Sequence, residues 1–509
     1  MEIFSKEAIF WLFCMGVPVF MAYNGGATAA TVDTIQQAGG WTPTGIGLLG
    51  AMDKIGMTLS AGVWGWVLQK VPCKVLLSAG LLVNTISVAI FAVTQNIYLM
   101  YATKMLIGLT EGLQWVWAPL WVAKWADEAS LPLWINLSGC VSAGVGNGVG
   151  TLLAGFSTAH GLPYATAFQF EAAVLGLLLA VILFVPAGAL KISSAVEREK
   201  VKEEILDSDR RIRSMSDDIS NLEGAKVTRP RVRSGSFLHP VVPTKDMSVG
   251  QQVQELWQNK LFCRATMAFA SANYINAGLA FLWIRLFMAL WGMEKQLAVV
   301  SFLVITGVGG AIGISISSSV KEGSNAQVTL GFLQKALYVS CLGAAMMVAG
   351  LLLQLLCGQD YFYLFLTLAW SGVILLCTGI GSTTGLIQIV CNNSVEEEEL
   401  RSFGVGLAQG TNNLFGMSFG PLLPQMVMDL LTVSFALSPD QALFAGAVSV
   451  AAVTFAVLGC VTAALEILPA QCATPKAGEQ ALPSIVEDAA DQPLIHSWCC
   501  NYEPVPTSA

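Results

Sequence analysis

Seven ionisable side chains lie inside otherwise apolar stretches: Asp53 and Lys54, Lys104 and Glu111, Glu171, Arg264 and Arg285. A charged group in hydrocarbon costs roughly 2.5–3.5 kcal/mol on insertion scales, so each needs a partner or a wet cavity. Spacing narrows what they can do. Asp53 and Lys54 are neighbours, so a helix points them about 100° apart and no direct pairing is expected. Two readings stay open for them. Either both face a cavity and bind an ion, a proton or a solute, or one snorkels outward while the other pairs with a neighbouring helix. Lys104 and Glu111 are seven positions apart, so two turns place them on one face, roughly 10 Å apart along the axis. That separation is too long for a bond but suits a shared polar pathway. Glu111 leads the proton-binding candidates. A carboxylate in a partly dry cavity holds a proton and releases it when a cation approaches. A structural ion pair that locks two helices is the alternative. Glu171 faces a cavity or sits on a peripheral helix. Arg264 snorkels from the start of its stretch, whereas Arg285 suits snorkelling or a gate contact near the far end better than midplane binding.

Uncharged polar residues add to this set. Asn273 and Asn276 share one stretch, Gln409 and Asn413 lie one turn apart in another, Gln388 follows Ser382–Thr384, and Tyr23 and Asn24 fall in the first. Several such groups at mid-depth outline a hydrogen-bonding cavity. The alternative is interhelical bonding, worth about 0.6 kcal/mol each. Trp115 and Trp117 follow Glu111 and can stack on a planar solute or pack against lipid. Candidate solute contacts are therefore Tyr23, Asn24, Trp115, Asn273, Asn276, Arg285, Gln388, Gln409 and Asn413.

These residues are set in a chain of 509 residues that is 54% hydrophobic and only 12% charged, with net charge −8. Soluble proteins carry roughly 25% charged residues. Half that charge cannot cover a globule in water, which excludes a soluble enzyme, a disordered protein and a nucleic-acid binder. The 12 Cys show no CxxC pairing, and His160, His239 and His496 lie outside the apolar runs. No metal site, haem or other cofactor is expected. Neither a GxxxxGK[ST] sequence nor a Ser/His/Asp constellation occurs, so ATP-driven pumping and enzymatic catalysis are not expected.

A crossing helix needs roughly 20 apolar residues. Twelve stretches qualify, at about 7–30, 44–69, 73–95, 97–123, 132–157, 163–188, 261–290, 296–319, 330–357, 361–390, 403–428 and 440–467. The first is expected to be a retained helix and not a signal peptide. Continuous, non-alternating runs argue against a barrel. With the N-terminus inside, Lys6, Lys70, Lys74, Lys124, Lys321, Arg401 and Lys476 are cytoplasmic and only Lys295 is external. This places both termini in the cytoplasm and leaves the sequons at Asn136 and Asn392 unglycosylated. Of 26 Lys and Arg, 13 fall in 191–260, a polar segment too poor in apolar residues to order itself. The expected layout is a six-helix bundle (1–188), a cytoplasmic linker (189–260), a second six-helix bundle (261–468) and a cytoplasmic tail (469–509).

Six helices, a loop and six more resemble the major facilitator superfamily over nearly the whole chain. The family has a Gly-x-x-x-Asp-Arg-x-Gly-Arg-Lys loop after its second helix. The equivalent here runs from Gly65 through Gln69 and Lys70 to Lys74, with Gln69 in place of the acid. Lys104, Gly108 and Gly112 resemble the family's fourth helix. Gly144, Gly146, Gly148, Gly150 and Gly155 resemble the Gly-rich fifth helix of antiporter-like members. Arg401 to Pro421 is similar to the eleventh. Locally, Gly108-Leu-Thr-Glu111-Gly112 with Ala118-Pro119 is similar to spinster-type lipid transporters and to organic-anion members. The resemblance implies an all-α membrane protein of twelve transmembrane helices in two six-helix bundles. It implies a secondary transporter that moves a small organic solute by alternating access with proton coupling, with substrate held near the midplane and no cofactor. Gly65, Gln69, Lys70 and Lys74 would form its gating loop. A monomeric unit in the plasma membrane or an endosomal or lysosomal membrane is expected. The reading from another class is a non-transporting receptor or trafficking adaptor that kept the fold. Arg residues before Ser214, Ser234 and Ser236 suit basophilic kinases, and the tail holds a dileucine-like Leu494-Ile495 and a Cys499-Cys500 pair open to palmitoylation.

Overall fold

In the computed structural model, residues 5–127, 130, 134, 137–192, 249–319, 326–394 and 398–472 are described. Ser214, Ser234, Ser236, Asn136, Lys321, Lys476 and the tail motifs lie outside these residues, as do the side chains of Gln69, Gln388, Asn392 and Arg401 and the surroundings of Gly65. Met1–Glu466 form one compact unit, and Ile467–Ala509 form another in which only the helical residues to Cys472 are described.

The described residues are helical with short connections. The first half holds α1 (Lys6–Gly39), α2 (Pro43–Lys70), α3 (Cys73–Val93), α4 (Ile97–Trp125), α5 (Leu137–Ala159) and α6 (Ala165–Phe184). The second holds α7 (Lys260–Trp291), α8 (Lys295–Phe302, Leu303–Val308 and Gly309–Ser319) and α9 (Ala326–Cys357). It continues with α10 (Phe362–Ser394), α11 (Glu398–Thr411, Asn412–Ser418 and Phe419–Phe435) and α12 (Pro439–Cys472). A short helix, Val249–Gln258, precedes α7. Local signals set the ends. Gly40 closes α1 in the left-handed conformation at φ 64°. Thr42 then accepts from Gly45 N with Pro43 at the first helical position of α2. Asn96 accepts from Tyr98 N and Leu99 N to start α4.

Ten of these helices are long and apolar enough to cross a membrane. The other two, α2 and α4, are long enough at 28 and 29 residues, and they carry the Asp53/Lys54 and Lys104/Glu111 pairs.

Glycine allows backbone contact where polar groups must meet. A Cβ on Gly26 would lie 1.9 Å from the Asn147 carbonyl oxygen, and one on Gly108 would lie 1.7 Å from that of Asp53. The α1–α5 and α2–α4 pairs are therefore in contact without intervening side chains. The second half repeats this pairing. Gly313 of α8 abuts the Ile374 carbonyl of α10, and Gly278 of α7 abuts Gly420 of α11. Between the halves, α2 packs on α11 and α5 on α8. Gly47 lies against Gln425, and Gly155 against Val299.

Among the described residues, four stretches widen into π-helical turns: Phe10–Gly16 in α1, Leu137–Val141 in α5, Leu303–Val308 in α8 and Asn412–Ser418 in α11. Such turns are often found at functional sites. Three of the four lie on helices of the seam between halves.

Candidate functional site

The close α2–α4 contact brings three charges together. Lys54 Nζ lies 3.3 Å from Asp53 Oδ2 and 3.5 Å from Glu111 Oε2. The expectation that Asp53 and Lys54 do not pair is therefore overturned. Their Cβ directions do diverge, but the four methylenes of the lysine let its ammonium fold back over its neighbour. Asp53 Oδ1 also accepts from the Lys54 backbone N–H at 2.8 Å. Glu111 is buried and Lys54 keeps 19% of its side chain exposed. One turn further along α2, Thr58 donates to the Gly410 carbonyl of α11 at 3.4 Å, so this cluster abuts the seam between halves. Trp115 lies one turn past Glu111 on α4 and is half-buried.

A second cluster lies deeper, between α4, α1 and α6. Lys104 donates to Asn24 Oδ1 and to Thr28 Oγ1. The amide of Asn24 passes the contact on: its Nδ2 donates to Glu171 Oε2 at 2.9 Å and to Oε1 at 3.1 Å. Phe91 and Phe168 present ring faces to the ammonium at 5.0 and 5.9 Å. Lys104 and Glu111 make no direct contact, in keeping with their spacing. Lys104, Glu111, Glu171 and Asn24 are all at most 3% exposed, so no lipid or bulk water competes for them.

The remaining polar residues take separate places. Tyr23 is fully buried and donates to the Ala167 carbonyl at 3.2 Å. Asn273 donates to Phe269 O of its own helix, and Asn276 to Cys377 Sγ of α10 at 3.8 Å. Gln409 and Asn413 pair at 3.2 Å, as one-turn spacing allows. The structure thus unites Asn24 with Lys104 and Glu171, and Gln409 with Asn413. It does not join Tyr23, Asn273, Asn276 or Arg285 to either group. Trp117 faces neither solute nor lipid: it is fully buried, and its indole donates to Leu190 O just past α6. Lys70 and Lys74 stand at the α2–α3 turn, where Lys74 Nζ donates to Leu183 O at 2.8 Å.

The sequence profile of the Major Facilitator Superfamily matches residues 12–421. The chain belongs to the Major Facilitator Superfamily. No curated protein matches it. Solved structures agree on the fold. A bacterial homologue of the human lysosomal transporter Spinster, inward-facing and unoccupied, superposes with TM-score 0.63 at 11% identity over 91% of this chain and 96% of that one. A D-xylose–proton symporter gives 0.57 at 11% identity over 88% and 96%. The nucleoside transporter NupG gives 0.54 at 12% identity over 89% and 97%. This superfamily member is thus a multi-pass membrane transporter and not an enzyme.

Three residues of this superfamily member with evident roles escaped the sequence reading. Lys295 Nζ bridges Asp33 at 3.0 and 3.1 Å, and Arg285 Nη2 donates to Gln36 Oε1, both across the seam. The Thr44 backbone N–H, in the first turn of α2, donates to Asp429 Oδ2 of α11 at 2.7 Å. The carboxylate of one half therefore caps a helix of the other, where the helix dipole favours negative charge. These contacts tie the two halves at the end of the seam carrying the α1–α2 turn. Asp33, Gln36 and Asp429 lie beyond the helix ends that hydropathy alone marks near residues 30 and 428. The wider helices, closed by Gly40 and Ala436, place them on rigid backbone.

Proposed function

We propose that this transporter couples a proton to the movement of a small organic solute by alternating access, with Lys54, Asp53 and Glu111 as the coupling centre. One observation carries the reading. This is a buried ion cluster whose ammonium retains exposure and whose helix face touches the opposite half through Thr58 and Gly410. A solute held between the halves meets Lys54 first. An anionic group on that solute competes with Glu111 for the ammonium, and the released carboxylate takes up a proton. Breaking a buried pair without such compensation costs about 3–5 kcal/mol, so pairing and protonation must change together.

In this reading both termini are cytoplasmic and the end tied by Asp33 and Lys295 faces outward. The monomer is the working unit, in the plasma membrane or an endosomal or lysosomal membrane. Proteoliposomes with an internal pH dye, challenged with sugars, nucleosides, amino acids, carboxylates and lysophospholipids, test it. One solute class is expected to move protons. With that solute, Glu111→Gln is expected to abolish accumulation driven by a pH gradient while sparing counterflow exchange. Unchanged pH dependence in Glu111→Gln rejects the coupling role, and solute movement without proton movement rejects proton coupling altogether.

A further inference from the structure

The two buried clusters form one chain of charges across four helices: Asp53 and Lys54 on α2, Glu111 and Lys104 on α4, Asn24 on α1 and Glu171 on α6. Counted with every group ionised, they hold two ammonium groups and three carboxylates. One carboxylate is left over, and Glu111, Lys104 and Glu171 are all at most 3% exposed. An uncompensated buried charge is not tolerated, so a proton must reside in the chain.

Geometry decides where. Asp53 and Glu111 both lie within 3.5 Å of the Lys54 ammonium. Glu171 has no ammonium within 4.0 Å among the described residues, and it is 0% exposed. Its hydrogen-bond partner is the neutral Asn24 amide. α1 offers Asn24 and the Tyr23 hydroxyl, which is already committed to the Ala167 carbonyl. α4 offers Lys104, one amide away, and Glu111 beyond it. α3 has only Lys74 as a charged residue, at the far end of α6 beside Leu183. α5 has none between Leu137 and Ala159.

We propose that Glu171 is a second proton-binding site, separate from the Lys54 cluster, and that it holds a proton in this arrangement of the helices. With the proton on one oxygen, the other still accepts from Asn24 Nδ2. The only bond formed is O–H, and the proton is delivered by hydronium from bulk solvent, which returns as water, when the chain of charges is next hydrated. Asn24 is then a positioning residue: its oxygen takes the ammonium of Lys104 and its nitrogen holds the acid. The place of this proton in the transport cycle rests on the proton-coupled reading above, but its presence does not.

The test needs no transported solute. Infrared spectroscopy of the purified full-length protein in lipid at neutral pH reads the C=O stretch of protonated carboxyl groups, which ionised surface carboxylates do not give. Wild type is expected to show this band. Glu171→Gln is expected to remove it, and Asn24→Ala, which alters the one side chain hydrogen-bonded to Glu171, to keep it at a shifted frequency. The last comparison stands even if Glu171→Gln fails to fold. No band in wild type, a band that survives Glu171→Gln, or one that keeps its frequency in Asn24→Ala overturns the assignment. A band that behaves as expected beside pH-independent transport would instead sink the coupling reading alone.

Discussion

The ties at the α1–α2 end of the seam make a quantitative prediction. Lys295–Asp33 and Asp429–Thr44 N exist only while that end is closed, because each joins one half to the other. Asp33→Asn and Asp429→Asn remove the charges without changing shape. The Lys295–Asp33 pair is half-buried, so its loss is worth about 1–2 kcal/mol, between an exposed pair and a charge-assisted buried bond. The capping carboxylate is worth a similar amount, about 1–2 kcal/mol. The two contacts share no partner, so their effects add. Their sum of about 2–4 kcal/mol shifts the closed-to-open equilibrium by roughly one to three orders of magnitude, at about 1.4 kcal/mol per tenfold. Gln425→Cys reports the shift. Position 425 is fully buried against Gly47 of the other half and is uncovered only when this end opens. Its modification by a membrane-impermeant thiol reagent, followed by mass spectrometry of that peptide, is expected to quicken about tenfold in each single variant and further in the double. Unchanged or slower labelling in a variant that still elutes as folded protein refutes the idea that these contacts hold the end shut.

Two further outcomes concern the bundle itself. Gly108→Ala drives a methyl into the Asp53 carbonyl, and overpacking of this kind costs about 1–3 kcal/mol, so the thermal midpoint in detergent should fall. Gly144→Ala, whose added methyl meets nothing within 4 Å, should hold or raise it by helix propensity. Equal midpoints for the two would contradict the backbone contact. Lys54→Met leaves Asp53 and Glu111 buried without their cation and should destabilise by about 3–5 kcal/mol. Adding Glu111→Gln should recover part of that loss, and a strictly additive double variant would show that Lys54 and Glu111 are not coupled.

Much of this architecture is legible from one-dimensional properties. Hydropathy and length mark ten crossings outright and the charged α2 and α4 by length, because a bilayer demands long helices whatever packs beside them. The intramembrane charges stand out for the same reason, since each is an expensive exception. The resemblance of the Gly-rich fourth and fifth helices to the superfamily follows from residues that must let backbones touch. Gln409 and Asn413 pair as helix periodicity says they should. Partner choice is another matter. Lys54 turns back on Asp53 because a flexible side chain is not bound by its Cβ direction. Glu171 finds Asn24 across 147 residues, and Lys295 finds Asp33 across 262. No pattern within either helix encodes such meetings. They are set by which helix faces are pressed together at Gly26, Gly108 and the α2–α11 seam. The sequence by itself determines that this chain spans a membrane in two helical halves and which charges it must keep. Only the tertiary structure decides which of those charges neutralise each other and which contacts close the seam, because both depend on side chains brought within a few ångströms by packing.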